Sequence, residues 1–419
     1  MRIKPESDRP LSRHWERAIC LGLGAVCLAL AQVSWPAARG WWQPGAADMP
    51  VNARVTAVTN FVETHITPAG ILEYVRLPLG EPDDLLPDVR MPLGAPRWFF
   101  PNTSMAELKK RICTVGLTPE QRDRLLNPSL WEPAPEGIFV KPSIRLVAEL
   151  SRGARSEIYA MLSDSPVNAA QHYPFRFPME AMDERFSDSG LTAPALEALK
   201  QLIYVEEGTF CFADGAVAQR MMSTNDFRAL VKALYREPTF LMRLKVTADS
   251  NINRLLGYWA HCGRERDLKP LFESLARVPG GGTINIEHML PPFARLRLYT
   301  HGPSATDASK SRQNCFWTAL NFFNEQPDAQ FLDAERVLRT VRRDYCALDG
   351  PRRFGDLICL MDPKDRPAHI CVYIADDVVF TKDGVDDRQP WVLLKMADML
   401  VEYPSKPPYK VVALRKNDY

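Results

Sequence analysis

The sequence has no excess of either charge: Lys and Arg number 52, Asp and Glu 51, and the balance is +1 with neutral histidine. A basic surplus is what draws a nucleic-acid partner, so none is expected. No C-x-x-C pair occurs, and no Cys/His group has the spacing of zinc ligands. Glu287-His288 lacks a second histidine at metal-site distance. The glycines at 280–282 have neither the lysine nor the preceding strand of a phosphate loop, and no G-x-S-x-G elbow presents a serine. No metal and no cofactor is therefore expected. No segment repeats at a fixed period.

What is present is the make-up of an ordinary globular protein. Of 419 residues, 46% are apolar and 25% charged, which excludes a disordered chain, a collagen-like fibre and a small disulfide scaffold. The length suits two or three domains of roughly 150 residues each. Proline stands out at 35 residues, about 8% against the usual ~5%. Short elements and many loops follow from that.

The first 17 residues carry five basic side chains, Arg2, Lys4, Arg9, Arg13 and Arg17, and no charge occurs from Ala18 to Trp35. A basic segment followed by an apolar one is the layout of a secretory signal. Ala29-Leu30-Ala31 fits the cleavage pattern, which would leave 1–31 as the signal peptide and Gln32 as the first mature residue. The alternative is an uncleaved membrane anchor: the uncharged run of 18 residues is at the short edge of the roughly 17–25 that span a bilayer. Both readings export the rest of the chain to the periplasm or the extracellular space. Seven of the nine cysteines lie beyond this segment, so an oxidised exported chain would keep at least one unpaired or intermolecular thiol.

Residues 32–102 read as a Pro-rich linker and irregular segment, interrupted by one amphipathic helix over 51–77 that Pro68-Ala69-Gly70 breaks. Residues 103–278 read as a mainly helical domain. Ser104 with Glu107, and Thr118 with Gln121, have the spacing of capping boxes. Further helices are expected over 143–162, 192–204, 223–235 and 239–260. Pro279 and the three glycines after it mark the expected domain boundary. Residues 283–419 then read as α+β: a helix beginning near Cys315 and another over 333–343, followed by antiparallel strands at 356–361, 369–374, 378–381 and 411–414, with Asp376-Asp377 as a tight turn.

The chemistry argument begins at Gln313-Asn314-Cys315-Phe316-Trp317. A thiol at a helix N-terminus feels the partial positive charge of unpaired N–H groups, which favours the nucleophilic thiolate. The same N–H groups are suited to hold an oxyanion beside the sulfur. His369 opens the strand His369-Ile370-Cys371-Val372-Tyr373-Ile374, a rigid mount for a base. His301, His288 and His261 are other histidines to weigh as partners of the thiol.

Gly355-Asp356-Leu357-Ile358, His369 leading Val372-Tyr373-Ile374, and Phe380 on the next strand resemble the NlpC-type cell-wall cysteine peptidase superfamily over roughly residues 283–419. The resemblance implies a papain-like domain, with Cys315 after Asn314 as nucleophile and His369 as base. It implies that Tyr299 lines the site, with His301 beside it and Asn314 next to the nucleophile. In that family a polar residue on the following strand orients the histidine. Alignment on Phe380 puts Lys382 there, ungapped counting puts Thr381 there, and Asp383 is a third candidate. A lysine has no lone pair for an imidazole N–H. Phe316 stands where the family commonly has a small residue, which narrows the cleft.

The fold class expected is therefore α+β, a helical region followed by a papain-like domain. The function expected is an exported cysteine hydrolase, an amidase or endopeptidase acting on a peptide or peptidoglycan-like substrate. Two alternatives stay open: a non-catalytic papain-like binding or scaffolding protein, and a thiol acyltransferase.

Overall fold

The computed structural model describes residues 62–80, 94–179, 182–186, 188–261, 263–302, 313–385, 388–403 and 407–417. The expected signal or anchor at 1–35, and with it the cleavage site, lies outside the described residues. Among the described residues no helix is long and apolar enough to cross a membrane.

The strands, in chain order, are β1 (Val62–Thr67), β2 (Gly70–Leu79), β3 (Trp98–Pro101), β4 (Trp131–Ala134), β5 (Gly137–Val140), β6 (Phe175–Phe177), β7 (Tyr204–Glu206) and β8 (Thr209–Phe212). There follow β9 (Glu237–Val246), β10 (Gly282–Asn285), β11 (Tyr345–Ala347), β12 (Leu357–Met361), β13 (Pro367–Ala375), β14 (Val378–Lys382), β15 (Trp391–Lys395) and β16 (Lys410–Lys416). They form four antiparallel sheets, ordered β1-β2-β9-β10, β11-β16-β12-β13-β14-β15, β3-β5-β4 and β6-β8-β7. With the helices between them the chain is a mixed α/β protein.

The chain divides into two compact units. One comprises 1–79, 237–396 and 405–419; the other comprises 80–236 and 397–404. The division at 79/80 and 236/237 differs from the boundary expected at 279–282. That glycine run lies inside the first unit, where it brings β10 back alongside β9. Gly281 has φ +84°, and a Cβ there would stand 2.6 Å from the Val246 carbonyl oxygen, so only glycine passes.

In the first unit, two helix expectations give way to strands. Residues 62–79 form the β1–β2 hairpin, with Pro68 and Ala69 as its turn and Ile66 opposite Ile71. The break expected to end a helix is thus the turn of a hairpin. In β9, Phe240, Met242, Leu244 and Val246 are buried while Leu241, Arg243 and Lys245 are half-exposed. That period of two is a strand's, and the helix expected over 239–260 is confined to Ile252–Trp259. Leu79, the last residue of β2, is paired with Glu237, the first of β9. Residues 80–236 are therefore inserted between two paired strand ends.

The six-stranded sheet accounts for the expected strands. Asp376 takes a left-handed φ of 56° in the two-residue turn between β13 and β14. Leu357, Val372, Phe380 and Trp391 share one core with Trp317 and Phe322 from the region of the Cys315–Asn321 helix. Every residue of that helix is buried. Thr239 ties β9 to β15: its Oγ1 donates to the Leu393 carbonyl at 3.0 Å and accepts the Leu393 N–H at 3.1 Å. The Ala334–Asp344 helix is capped by Asp333 and buries Val337, Leu338 and Val341, the one-sided stripe of an amphipathic helix.

The second unit mixes short helices with two three-stranded sheets, more strand than the helical domain expected over 103–278. Both expected N-caps form: Ser104 accepts from the Glu107 N–H, and Thr118 with Gln121 makes the complete reciprocal box. The 143–162 stretch is two helices, Ile144–Ala148 and Arg152–Leu162. At the core, the Arg155 guanidinium pairs with Asp214, which also accepts from the Tyr159 hydroxyl. Arg155 further donates to the Val147 carbonyl at 2.9 Å. Burial pushes the Asp214 carboxyl up, against the pull of Arg155. Both charges are buried, and the pair holds because each partner offsets the other's charge while Tyr159 and the Val147 carbonyl take up further hydrogen bonds.

Candidate active site

Asn314 takes extended dihedrals and its Oδ1 accepts the Trp317 N–H at 3.0 Å. This is an N-cap, so the side chain foreseen as a substrate contact is engaged in starting the helix. Cys315 is the first helical residue. Its sulfur lies against β13, where the Ile370 N–H hydrogen-bonds it, and the Phe316 N–H does so from the helix. Ile370 is the neighbour of His369 in the chain. The His369 Nε2 is 2.8 Å from the Thr381 Oγ1.

Of the three candidates for orienting the histidine, Thr381 therefore makes the contact. Lys382, the alternative at that position, is 1% exposed. Its Nζ is 3.5 Å from the carbonyl oxygens of Asp383 and Gly384 and 5.6 Å from the centre of the Trp391 ring. It acts on the thiol through charge, as does Asp383. The Lys382 ammonium favours the thiolate, while the Asp383 carboxylate opposes it and favours the imidazolium of His369.

Burial overrides both. Cys315 is 6% exposed and His369 is fully buried. Desolvation, the largest influence on each, pushes the Cys315 thiol up to about 12 and the His369 imidazole down to about 4. The expectation of a thiolate stabilised by the helix end fails in this state, because two N–H bonds and a partial helix charge do not repay the loss of water. The resting pair is a neutral thiol and a neutral imidazole. No thiol–imidazole hydrogen bond forms among the described residues. The two groups are linked through the β13 main chain at Ile370.

Tyr299 is held at φ 62°, and its hydroxyl donates to the Phe240 carbonyl while its N–H donates to the Trp391 carbonyl. The side chain foreseen to line the site thus fastens its segment to β9 and β15. His301 is half-buried near the end of the same described stretch. His261 donates its Nε2–H to the Tyr258 carbonyl, 2.8 Å away, and stacks on Phe354. His288 stands beside Glu287 at 3.6 Å.

Two features at the site had no signal in the sequence. The Trp391 Nε1–H donates to the Thr318 Oγ1 at 2.9 Å, binding β15 to the cysteine helix. Cys359 and Cys371 stand close enough to be felt electrostatically with Cys315. Among the described residues, all six cysteines are free thiols. No group of three His, Cys, Asp or Glu among them is arranged to hold a metal ion. Comparison of the chain with protein-family models, with curated proteins and with solved structures gave no match.

Proposed function

We propose that the first unit is a cysteine hydrolase of papain-like layout that cuts an amide bond in a cell-wall-type peptide, on a chain exported by its N-terminal segment. The observation that carries this reading is the hydrogen bond between His369 and Thr381, on adjacent strands of the sheet against which the capped end of the Cys315 helix packs.

With Nε2–H donating to Thr381, the imidazole keeps its lone pair on Nδ1. Nδ1 then takes the thiol proton as sulfur attacks the amide carbonyl, and returns it to the departing amine. First-turn N–H groups of the helix are suited to the oxyanion. Water, activated by the same nitrogen, releases the acid. Because the resting pair is neutral, proton transfer accompanies attack instead of preceding it.

The test is hydrolysis of purified peptidoglycan fragments, with new amine and acid ends read by mass spectrometry. Wild-type protein should release them, and Cys315→Ser and His369→Gln should each lower the rate by at least roughly a hundredfold. Undiminished cleavage by Cys315→Ser sinks the reading. The second reading, a binding or scaffolding protein, is favoured by the full burial of His369 and the near-complete burial of Cys315. It predicts no turnover by any form with retention of the fragments.

A further inference from the structure

β1 is the outer strand of the β1-β2-β9-β10 sheet. The turn at Pro68-Ala69 leaves Thr67 directly paired with Gly70, and a pair that closes a two-residue turn exchanges both of its backbone hydrogen bonds. Alternation along the ladder fixes the rest. Glu63 and His65 bond to β2, whereas the backbone N–H and C=O groups of Thr64 and Ile66 point away from it. Among the described residues no backbone group outside β2 bonds to this strand. Thr64 is exposed, and Ile66 is 88% exposed. Natural edge strands are blunted by lysine, proline or a bulge. β1, reading Val-Glu-Thr-His-Ile-Thr, has none of these.

On the other face of the strand the side chains are already fixed. The His65 Nδ1 is 2.6 Å from the Asp376 Oδ2, which also accepts the Tyr74 hydroxyl at 3.0 Å. Glu63 accepts from the Lys395 ammonium at 3.1 Å. A strand that joins this edge therefore has neither side chain to reorder.

We infer that β1 is a self-association edge: it pairs antiparallel with β1 of a second copy about a two-fold axis at Thr64, so that the two four-stranded sheets run on as one. Residue chemistry selects this register. The outward N–H and C=O of Thr64 meet those of the partner's Thr64, and those of Ile66 meet the partner's Val62. Glu63 stands opposite the partner's His65, and His65 opposite the partner's Glu63. Acid thus faces imidazole on one side of the ribbon, and threonine faces threonine on the other. An axis at residue 63 or 65 would set Glu63 against the partner's Glu63, or His65 against the partner's His65. An axis at residue 66 would put Pro68, which has no N–H, opposite Thr64. One two-fold axis uses up this edge, so association through it stops at two copies.

The test follows the mass of the full chain by sedimentation up to roughly 100 μM, the range that a small, weak interface requires. Wild type should pass from one copy to two as concentration rises, and its unfolding midpoint should rise with it. Thr64→Pro removes an N–H that the β1–β2 ladder does not use, and edge strands accept proline at such a position. It should stay folded and stay single. Ile66→Lys, which leaves every backbone group in place, should weaken association at least roughly tenfold. Under mild oxidation Thr64→Cys should form a disulfide joining position 64 to itself, because a directly opposed pair sets its Cα atoms about 5.5 Å apart. Ile66→Cys, about 13 Å from its counterpart in this register, should not. Peptide mapping distinguishes these links from any through the exposed Cys113. Should Thr64→Pro lose its fold, read by circular dichroism, Ile66→Lys and the two cysteine variants decide alone. A wild type that stays single throughout, a folded Thr64→Pro or an Ile66→Lys that associates as tightly as wild type, or a disulfide at 66 with none at 64 overturns the inference. Cys315→Ser should associate like wild type, since this edge is independent of the hydrolase reading.

Discussion

Acid should strike this fold through His369. The buried imidazole titrates at about 4 in the folded protein because burial disfavours its charge, whereas an unfolded chain protonates it near 6.5. Below 6.5 the unfolded state therefore binds a proton that the native state refuses. The stabilising contribution is complete above that pH and is lost progressively as pH falls toward 4. Between pH 7 and pH 5 the loss is about 2 kcal/mol, and it approaches about 3 kcal/mol at the lower limit. Two measurements check this. The ring resonances of His369, assigned by their absence in His369→Gln, should titrate well below those of an exposed histidine. In urea unfolding, wild type should lose about 2 kcal/mol more than His369→Gln between pH 7 and pH 5. Other titrating groups cancel in that comparison. A midpoint near 6.5 for His369, or equal acid sensitivity of the two proteins, would refute the claim that the imidazole is held neutral by burial.

Thr381→Val keeps the volume but removes the acceptor at Nε2. It should cost ~1–3 kcal/mol of stability for the stranded N–H and slow turnover, with Thr381→Ser restoring most of both. Asn314→Ala removes the cap at Trp317 and should cost ~1 kcal/mol, read as a lower urea midpoint. In the second unit, Arg155→Leu strips the buried Asp214 carboxyl of its guanidinium partner; a loss of about 3–5 kcal/mol is expected, and Arg155→Leu with Asp214→Leu should recover part of it. Gly281→Ala forces a side chain into a left-handed φ and against the Val246 carbonyl. Its thermal midpoint should fall, whereas Gly280→Ala, with open space at its Cβ position, should cost less.

The strands that carry His369 and Thr381 were legible because β12, β13 and β14 are local apolar runs with a two-residue turn between the last two. Ungapped counting from His369 led to Thr381, the residue its imidazole contacts, although β13 and β14 shift register between Tyr373 and Ala375. Other features were not legible. β1 and β2 imitate a helix in a short window, since Val62 and His65 stand three apart as on one helix face, and only pairing with β9 decides between helix and strand. That pairing joins residues more than 150 positions apart, beyond any local pattern. The charge state of Cys315 was misjudged for a related reason. The helix end is visible in the sequence, but the packing that removes water from the sulfur comes from β13 and the surrounding core. Lys382 looked like a defect at the third catalytic position. Strand alternation turns it to the Trp391 side and leaves Thr381 for the imidazole.

The pairing of Leu79 with Glu237 also bears on the order in which the molecule assembles. β2 can meet β1 as soon as both are made, but its other edge must wait for β9. While the intervening chain is a coil, closing that loop is costly in entropy, and the cost grows with the logarithm of its length. Once residues 80–236 have collapsed into their own body, the two strand ends emerge a short span apart and the cost largely disappears. The second unit would then act as an internal timer: a defect such as Arg155→Leu would delay completion of the β1-β2-β9-β10 sheet, although no residue of that sheet has changed.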